Sequence, residues 1–167
     1  DVDDGRVRAQ EHADHALTIA EVGQRADLVL LSLPSTEIVR AVVSGADGLI
    51  AHLRPGSGII DLSTTSPAAS RELAEALAAK DIAFLDAPVS GGEGAARDAS
   101  LAIMAGGPAE TLDAYRHVLE VVGGSIVRVG DTGAGGVAKL VNNMIVGAEF
   151  AVIAEGFALA EQNGLDP

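Results

Sequence analysis

Apolar residues along this chain fall into two kinds of run. Residues 26–34 and 56–62 are short, continuous and bounded by turn residues, the form of strands buried on both faces, and both read as parallel strands. Residues 83–86, 125–129 and 100–105 have the same form and are the further strand candidates. Between them, apolar positions recur at helical spacing. Residues 67–80 place Pro67 in a first turn behind Ser66, with Leu73, Ala76 and Leu77 following on one stripe. Residues 36–43, 109–121 and a short 19–25 complete the helices. Strand and helix alternate, which predicts an α/β fold: a Rossmann-like, doubly wound parallel sheet with right-handed crossovers.

From Gly133 the pattern changes to a Pro-free stretch carrying Leu140, Val141, Met144, Ile145, Ala148, Ala151, Val152, Ala154, Ala158 and Leu159. This predicts one long alanine-rich helix, apolar over much of its circumference, of the kind buried between two bodies. The chain then divides into a partial dinucleotide-binding domain, residues 1–132, and residues 133–167, an interdomain helix leading into a further helical domain. The closing Asn163-Gly164-Leu165-Asp166-Pro167 reads as one helix ending and another about to start. The helix's apolar face asks for a partner surface, either that further domain or another subunit.

Composition narrows the classes. With 167 residues and 48% hydrophobic content the chain holds one core, not two ordinary domains. Aromatic content is only 2%, so the interior relies on close approach of small and branched residues, as helices on a parallel sheet allow. Lys and Arg total 11 against 24 Asp and Glu, a net charge of −13; that field repels phosphate backbones and anionic lipid, so no nucleic acid or membrane partner is expected. No signal peptide or uninterrupted apolar run of spanning length is visible, and a soluble cytoplasmic protein is the expectation. The absence of cysteine removes disulfide and thiolate chemistry.

Two constellations carry candidate chemistry. Asp86-Ala87-Pro88-Val89-Ser90-Gly91-Gly92-Glu93-Gly94-Ala95 leaves the end of a predicted strand, and its glycines permit positive φ and bare N–H groups able to cradle a carboxylate. A glycine-rich turn before a short helix would read the same. In Gly133 to Asn143, Lys139 and Asn143 stand four apart at the start of the long helix and share a face. A lysine on an apolar helix is costly to bury and serves as an acid/base group when desolvation lowers its pKa; snorkelling beside Asn143 is the alternative. His12 and His15 lie one turn apart without a further ligand pattern, and Asp1, Asp3 and Asp4 with Gly5 do not fit a calcium loop. No metal site is expected.

Taken in order, Leu33-Pro34, Asp61-Leu62-Ser63-Thr64-Thr65-Ser66-Pro67, the loop from Asp86 to Ala95, Ala105-Gly106-Gly107 and the segment Gly133 to Asn143 resemble the β-hydroxyacid dehydrogenase family, which includes 3-hydroxyisobutyrate dehydrogenase and tartronate semialdehyde reductase and is related to 6-phosphogluconate dehydrogenase. The resemblance implies that Ser90, Gly91 and Gly92 hold the substrate carboxylate with help from Asn142, that Lys139 is the acid/base, and that Asn143 hydrogen-bonds the reacting oxygen. It also implies that Leu33 and Pro34 line the cofactor groove and that Thr64 lies near the nicotinamide, although a strand ended by Pro and a helix-capping turn would account for these positions. The implied reaction is NAD(P)-dependent interconversion of a short 3-hydroxy acid and its semialdehyde or keto form. Relatives with Asp or Tyr at the lysine position reduce imines, so Lys139 favours alcohol and aldehyde chemistry, with 3-hydroxyisobutyrate and tartronate semialdehyde the leading substrates. A 6-phosphogluconate enzyme is the alternative, against which the segment from Ala95 to Leu101 is more like the short-acid branch. In this family the first strand and Gly-x-Gly-x-x-Gly turn would precede residue 1 and an all-helical domain would follow the long helix, so a truncated, non-catalytic binding module is a further alternative. Asp1 would be the acidic residue on the adenosine ribose, favouring NAD over NADP, or merely a charged residue at a cut end. The full-length enzyme is expected to be a homo-oligomer.

Overall fold

The computed structural model describes residues 17–166. Thr18 opens the first described helix, α1 (Ile19–Arg25): its hydroxyl accepts from the Glu21 N–H while the Glu21 carboxylate accepts from the Thr18 N–H, so two end donors are satisfied reciprocally. Strands β1 (Leu28–Leu31), β2 (Gly58–Asp61) and β3 (Ala83–Asp86) then lie side by side, parallel, with Leu31, Asp61 and Asp86 level at their carboxyl ends. Helix α2 (Thr36–Ser44) follows β1, and α3 (Pro67–Ala78) follows β2.

The period of two divides each strand between two cores. Val29, Leu31, Ile59 and Phe84 pack with Val39 and Val43 of α2 and Leu73 and Leu77 of α3. Ile60 and Leu85 point the other way, packing with Ile103 and Ala105 and with Leu112 and Leu119 of α5 (Ala109–Leu119). Coverage of both faces explains why β2 and β3 read as unbroken apolar runs rather than alternating ones; β1 carries the same kind of run although its Leu30 is exposed.

The sheet is mixed, a departure from the all-parallel expectation. After β3 the chain continues through Ala87-Pro88 into β4 (Val89–Ser90), turns through α4 (Gly92–Arg97), and returns as β5 (Leu101–Gly106), antiparallel to both β3 and β4. The pairs Asp86↔Gly106, Val89↔Ile103 and Ser90↔Ala102 keep one continuous register, and the Met104 N–H donates to the Pro88 carbonyl at 3.0 Å. β3 and β4 are therefore one strand that leaves β2 and runs on along β5. The reason is length: a parallel crossover needs a dozen or more residues, usually a full helix, and the six-residue α4 allows only a reversal. The longer α5 does make a crossover, and β6 (Gly123–Gly130) lies parallel to β5.

The last element, α6 (Ala134–Gln162), runs 29 residues. Its first turn is seated on the sheet, with Gly135 and Gly136 buried; further along, Met144 is 75% and Phe150 70% exposed. By length and mean hydropathy (1.5) α6 is nevertheless long and apolar enough to cross a bilayer. Counting uninterrupted runs missed it because Lys139, Asn142, Asn143, Glu149 and Glu155 break the apolar sequence. Those residues are costly in hydrocarbon and argue for a helix covered by protein.

Candidate functional site

The carboxyl ends of β1, β2 and β3 converge on one side of the molecule, and two buried carboxylates organise them. Asp61, ending β2, accepts from the Ser63 N–H at 3.0 Å and from the Thr65 hydroxyl; the Ser63 hydroxyl in turn accepts from the Leu33 N–H at 2.9 Å. The loops after β1 and β2 are thereby laced together. Asp86, level with Asp61 on β3, accepts from the Gly133 N–H at 2.7 Å and the Gly136 N–H at 2.9 Å. These are the cap residue and the third residue of α6, whose amides have no intrahelical acceptor. The helix start can sit this close only because of Gly135, where an added Cβ would run into the backbone carbonyls of Asp86 and Met104.

Burial pushes both carboxyls above their ordinary value of 3.8. Ser63 and Thr65 oppose the shift at Asp61; the Gly133 and Gly136 amides oppose it at Asp86, where the neighbouring Asp61 charge reinforces it. A pKa raised on folding means that the folded chain holds protons the unfolded chain has released. The stability these groups contribute is complete below about pH 3.8 and is lost as pH rises through the raised values. Asp61→Asn keeps the local bonding, since the amide oxygen accepts from Ser63 while its NH₂ donates to the Thr65 hydroxyl, which accepts as readily as it donates. Urea unfolding from about pH 4 to about pH 8 is therefore expected to show a steeper decline for the wild type than for Asp61→Asn; parallel curves would contradict the raised pKa at Asp61.

Beyond these anchors lies a cavity of about 520 Å³ whose wall includes Ser32, Leu62, Thr64, Val89, Ser90, Gly91, Gly92, Glu93, Lys139, Asn142, Asn143 and Val146. Gly91 and Gly92 adopt φ of 132° and 68°, a conformation that turns the backbone out of the strand and that side-chain-bearing residues rarely adopt. Lys139, Asn142, Asn143 and Val146 follow at helical spacing and present one face of α6 to the cavity. Lys139 is half-buried and makes no hydrogen bond or ion pair among the described residues. The Asn142 amide approaches the Asn143 carbonyl oxygen at 3.4 Å, a weak bond that leaves both amides available to a ligand.

The residues singled out in the sequence are thus mostly brought together: Ser90, Gly91, Gly92, Thr64, Lys139, Asn142 and Asn143 share one wall. Leu33 and Pro34 are not part of it. Leu33 is half-buried against the core, Pro34 is exposed, and the residue before them, Ser32, takes the wall position. Asp1, His12 and His15 lie outside the described residues. Sequence reasoning missed Ser32, Leu62, Glu93 and Val146 in the wall, and the anchoring roles of Asp61 and Asp86. Val146 had a signal, seven residues after Lys139 on the same helical face; the two aspartates had another, since a carboxylate closing a buried strand needs donors. Among the described residues, no group of three or more His, Cys, Asp or Glu is placed to hold a metal ion.

The residues present fit a dinucleotide. Ser32 and Thr64 stand at the carboxyl ends of adjacent parallel strands, the crevice where open α/β sheets take ligands. The spacing Gly133-x-Gly135-x-x-Ala138 at the β6–α6 junction has the form of a pyrophosphate fingerprint. That helix N-terminus is already filled by the Asp86 carboxylate, so it does not serve a phosphate.

A family model, the NAD binding domain of 6-phosphogluconate dehydrogenase, matches residues 4–130. The 3-hydroxyisobutyrate dehydrogenase of Pseudomonas aeruginosa is 46% identical over 155 residues, 93% of this chain and 51% of the relative. An NAD-dependent L-serine dehydrogenase of the same organism is 38% identical over 163 residues, 98% of this chain and 54% of the relative. Among solved structures, Mycobacterium tuberculosis 3-hydroxyisobutyrate dehydrogenase with L-serine superposes with a TM-score of 0.87 at 38% identity, covering 99% of this chain and 56% of that one. The chain spans about half the length of the curated relatives it matches. The ordered motifs, the Rossmann-like NAD(P)-binding fold and these likenesses agree: the chain belongs to the β-hydroxyacid dehydrogenase family of oxidoreductases.

Proposed function

We propose that the chain carries the nicotinamide side and half of the substrate pocket of an enzyme that interconverts a short 3-hydroxy acid and its semialdehyde or keto form. The observation supporting this most is that the Ser90-Gly91-Gly92 turn and the Lys139 face of α6 open onto one cavity beside Thr64. In this reading the exposed N–H groups of the turn bind the substrate carboxylate, assisted by Asn142. Asn143 hydrogen-bonds the reacting oxygen, and Lys139 removes the hydroxyl proton during oxidation and returns it during reduction. The nicotinamide, when bound, supplies or accepts the hydride. Thr64 and Ser32 border that end of the groove, and Leu33 and Pro34 line its continuation, with the Leu33 N–H held by the Ser63 hydroxyl. NAD is the favoured dinucleotide, in line with the names of the matching family model and of the L-serine relative.

The substrates named for the relatives share one skeleton. 3-Hydroxyisobutyrate and L-serine each carry a carboxylate and a hydroxymethyl group on one carbon, differing only in a methyl or ammonium substituent. A turn that grips the carboxylate and a lysine that meets the hydroxymethyl oxygen suit both. Residues 1–132 form the cofactor unit in this proposal, and residues 133–167 join it to the surface, from a further domain or another subunit of a cytoplasmic homo-oligomer, that covers the apolar turns around Phe150 and Phe157. The test is nicotinamide-linked oxidation by the chain extended to its relatives' length, offered NAD and NADP with 3-hydroxyisobutyrate, L-serine and 6-phosphogluconate. Oxidation of the first, with 6-phosphogluconate inert, is expected; failure with every 3-hydroxy acid would end the reading.

A further inference from the structure

We propose that Asp86 is the positioning residue that fixes the distance between the carboxylate-binding turn and Lys139, by capping the lysine's helix from the root of the turn. The proposal rests on the functional reading above. Asp86 belongs to the β3–β4 strand, and Ser90 lies four residues further along it. Its two carboxylate oxygens are spent on α6, one on the Gly133 N–H and one on the Gly136 N–H. Lys139 follows Gly136 by three residues, about 4.5 Å along a rigid helix axis. One side chain therefore ties both arms of the cavity to a single point.

The surroundings leave that side chain no second position. Asp86 is 2% exposed. A Cβ at Gly106 would come within 2.6 Å of its Oδ1 and 2.7 Å of the Gly135 nitrogen, so the carboxylate is walled in by its strand partner and the helix it holds. The donors are also fixed: both are backbone N–H groups, and neither can accept. An amide in place of the carboxylate would aim its NH₂ at one of them, opening one bond and moving the start of α6. An ordinary helix cap is a residue of the preceding turn. Here the cap comes from 47 and 50 residues away, on the strand that feeds the substrate turn, which makes it a registration device as well as a stabiliser.

The test uses the chain extended to its relatives' length, with 3-hydroxyisobutyrate and its analogue deuterated at the carbinol carbon. Asp86→Asn is expected to lower kcat roughly 100-fold, the effect of a displacement of about 1 Å at a reacting group. The deuterium isotope effect on kcat should rise and the KM for NAD should stay at the wild-type value. A loss of folded, active protein without those two signatures would reduce Asp86 to a structural cap and overturn the proposal, as would wild-type kcat. Amide exchange gives a readout independent of whether the variant folds. In the wild type the Gly133 and Gly136 amides should exchange as slowly as the interior of α6, and fast exchange at either overturns the proposal. Lys139→Met separates the two levels: if it keeps wild-type turnover, the functional reading fails, whereas if it loses turnover and Asp86→Asn does not, only the role of Asp86 fails.

Discussion

Lys139→Ala in the chain extended to its relatives' length is expected to lower turnover by about 10²–10⁴-fold, the range contributed by a positioned acid or base, with NAD affinity close to wild type. The expectation comes from where the lysine stands. It is the sixth residue of α6, near the helix end whose partial positive charge disfavours a cation. It is half-buried and has no carboxylate or hydrogen-bond partner among the described residues. Nothing at that position rewards a lysine for stability, so alanine, a better helix former, should leave unfolding unchanged or slightly raised. Loss of turnover without loss of stability is the signature of a group kept for its chemistry. Comparable turnover in the variant would remove Lys139 from the mechanism.

The second large effect is on the seating of α6. Gly135→Ala is expected to destabilise this chain by about 2–3 kcal/mol, the upper part of the usual range for overpacking, and to lower Tm by roughly 5–10 °C. The added Cβ meets the carbonyl oxygens of Asp86 and Met104, backbone atoms of two paired strands, which cannot swing aside as a side chain would. Relief comes only from lifting the helix, and that stretches both bonds to Asp86. Gly147→Ala on the same helix is the control, because its Cβ meets nothing within 4 Å. There the change removes backbone freedom from the unfolded chain and should stabilise by about 0.5–1 kcal/mol. Thermal unfolding of the two variants beside the wild type checks both signs. Equal effects at the two glycines would mean that α6 is not held against the sheet as described.

Much of the fold was legible because burial writes itself into sequence, on both faces for β2 and β3 and on one for β1, whose Leu30 is exposed. The unbroken apolar runs of β1, β2 and β3, Pro67 at the first turn of α3 and the long apolar periodicity of α6 each had a local cause. Strand direction has none. β5 carries the same kind of run whether it lies parallel or antiparallel, and what decides is the shortness of α4, a six-residue helix hidden in a glycine-rich loop. The cavity was legible in part for the same reason. Ser90, Gly91, Gly92, Lys139 and Asn143 announce themselves by residue type and spacing. Asp61 and Asp86 looked like ordinary strand-ending acids, because the partners that give Asp86 its role lie 47 and 50 residues away. Leu33-Pro34 marks where the strand stops, and Ser32, one residue earlier, is the residue on the cavity wall.

The central claim is that the turn at Ser90-Gly91-Gly92 and the side chain of Lys139 act on opposite ends of one small molecule. The most direct measurement compares steady-state oxidation of 3-hydroxyisobutyrate with that of its methyl ester, which keeps the carbinol but lacks the carboxylate charge, in wild type and Lys139→Ala. The account predicts that esterification raises KM and that the lysine change lowers kcat, with the two losses appearing independently. An ester oxidised as efficiently as the acid, or a lysine variant as fast as wild type, would contradict it.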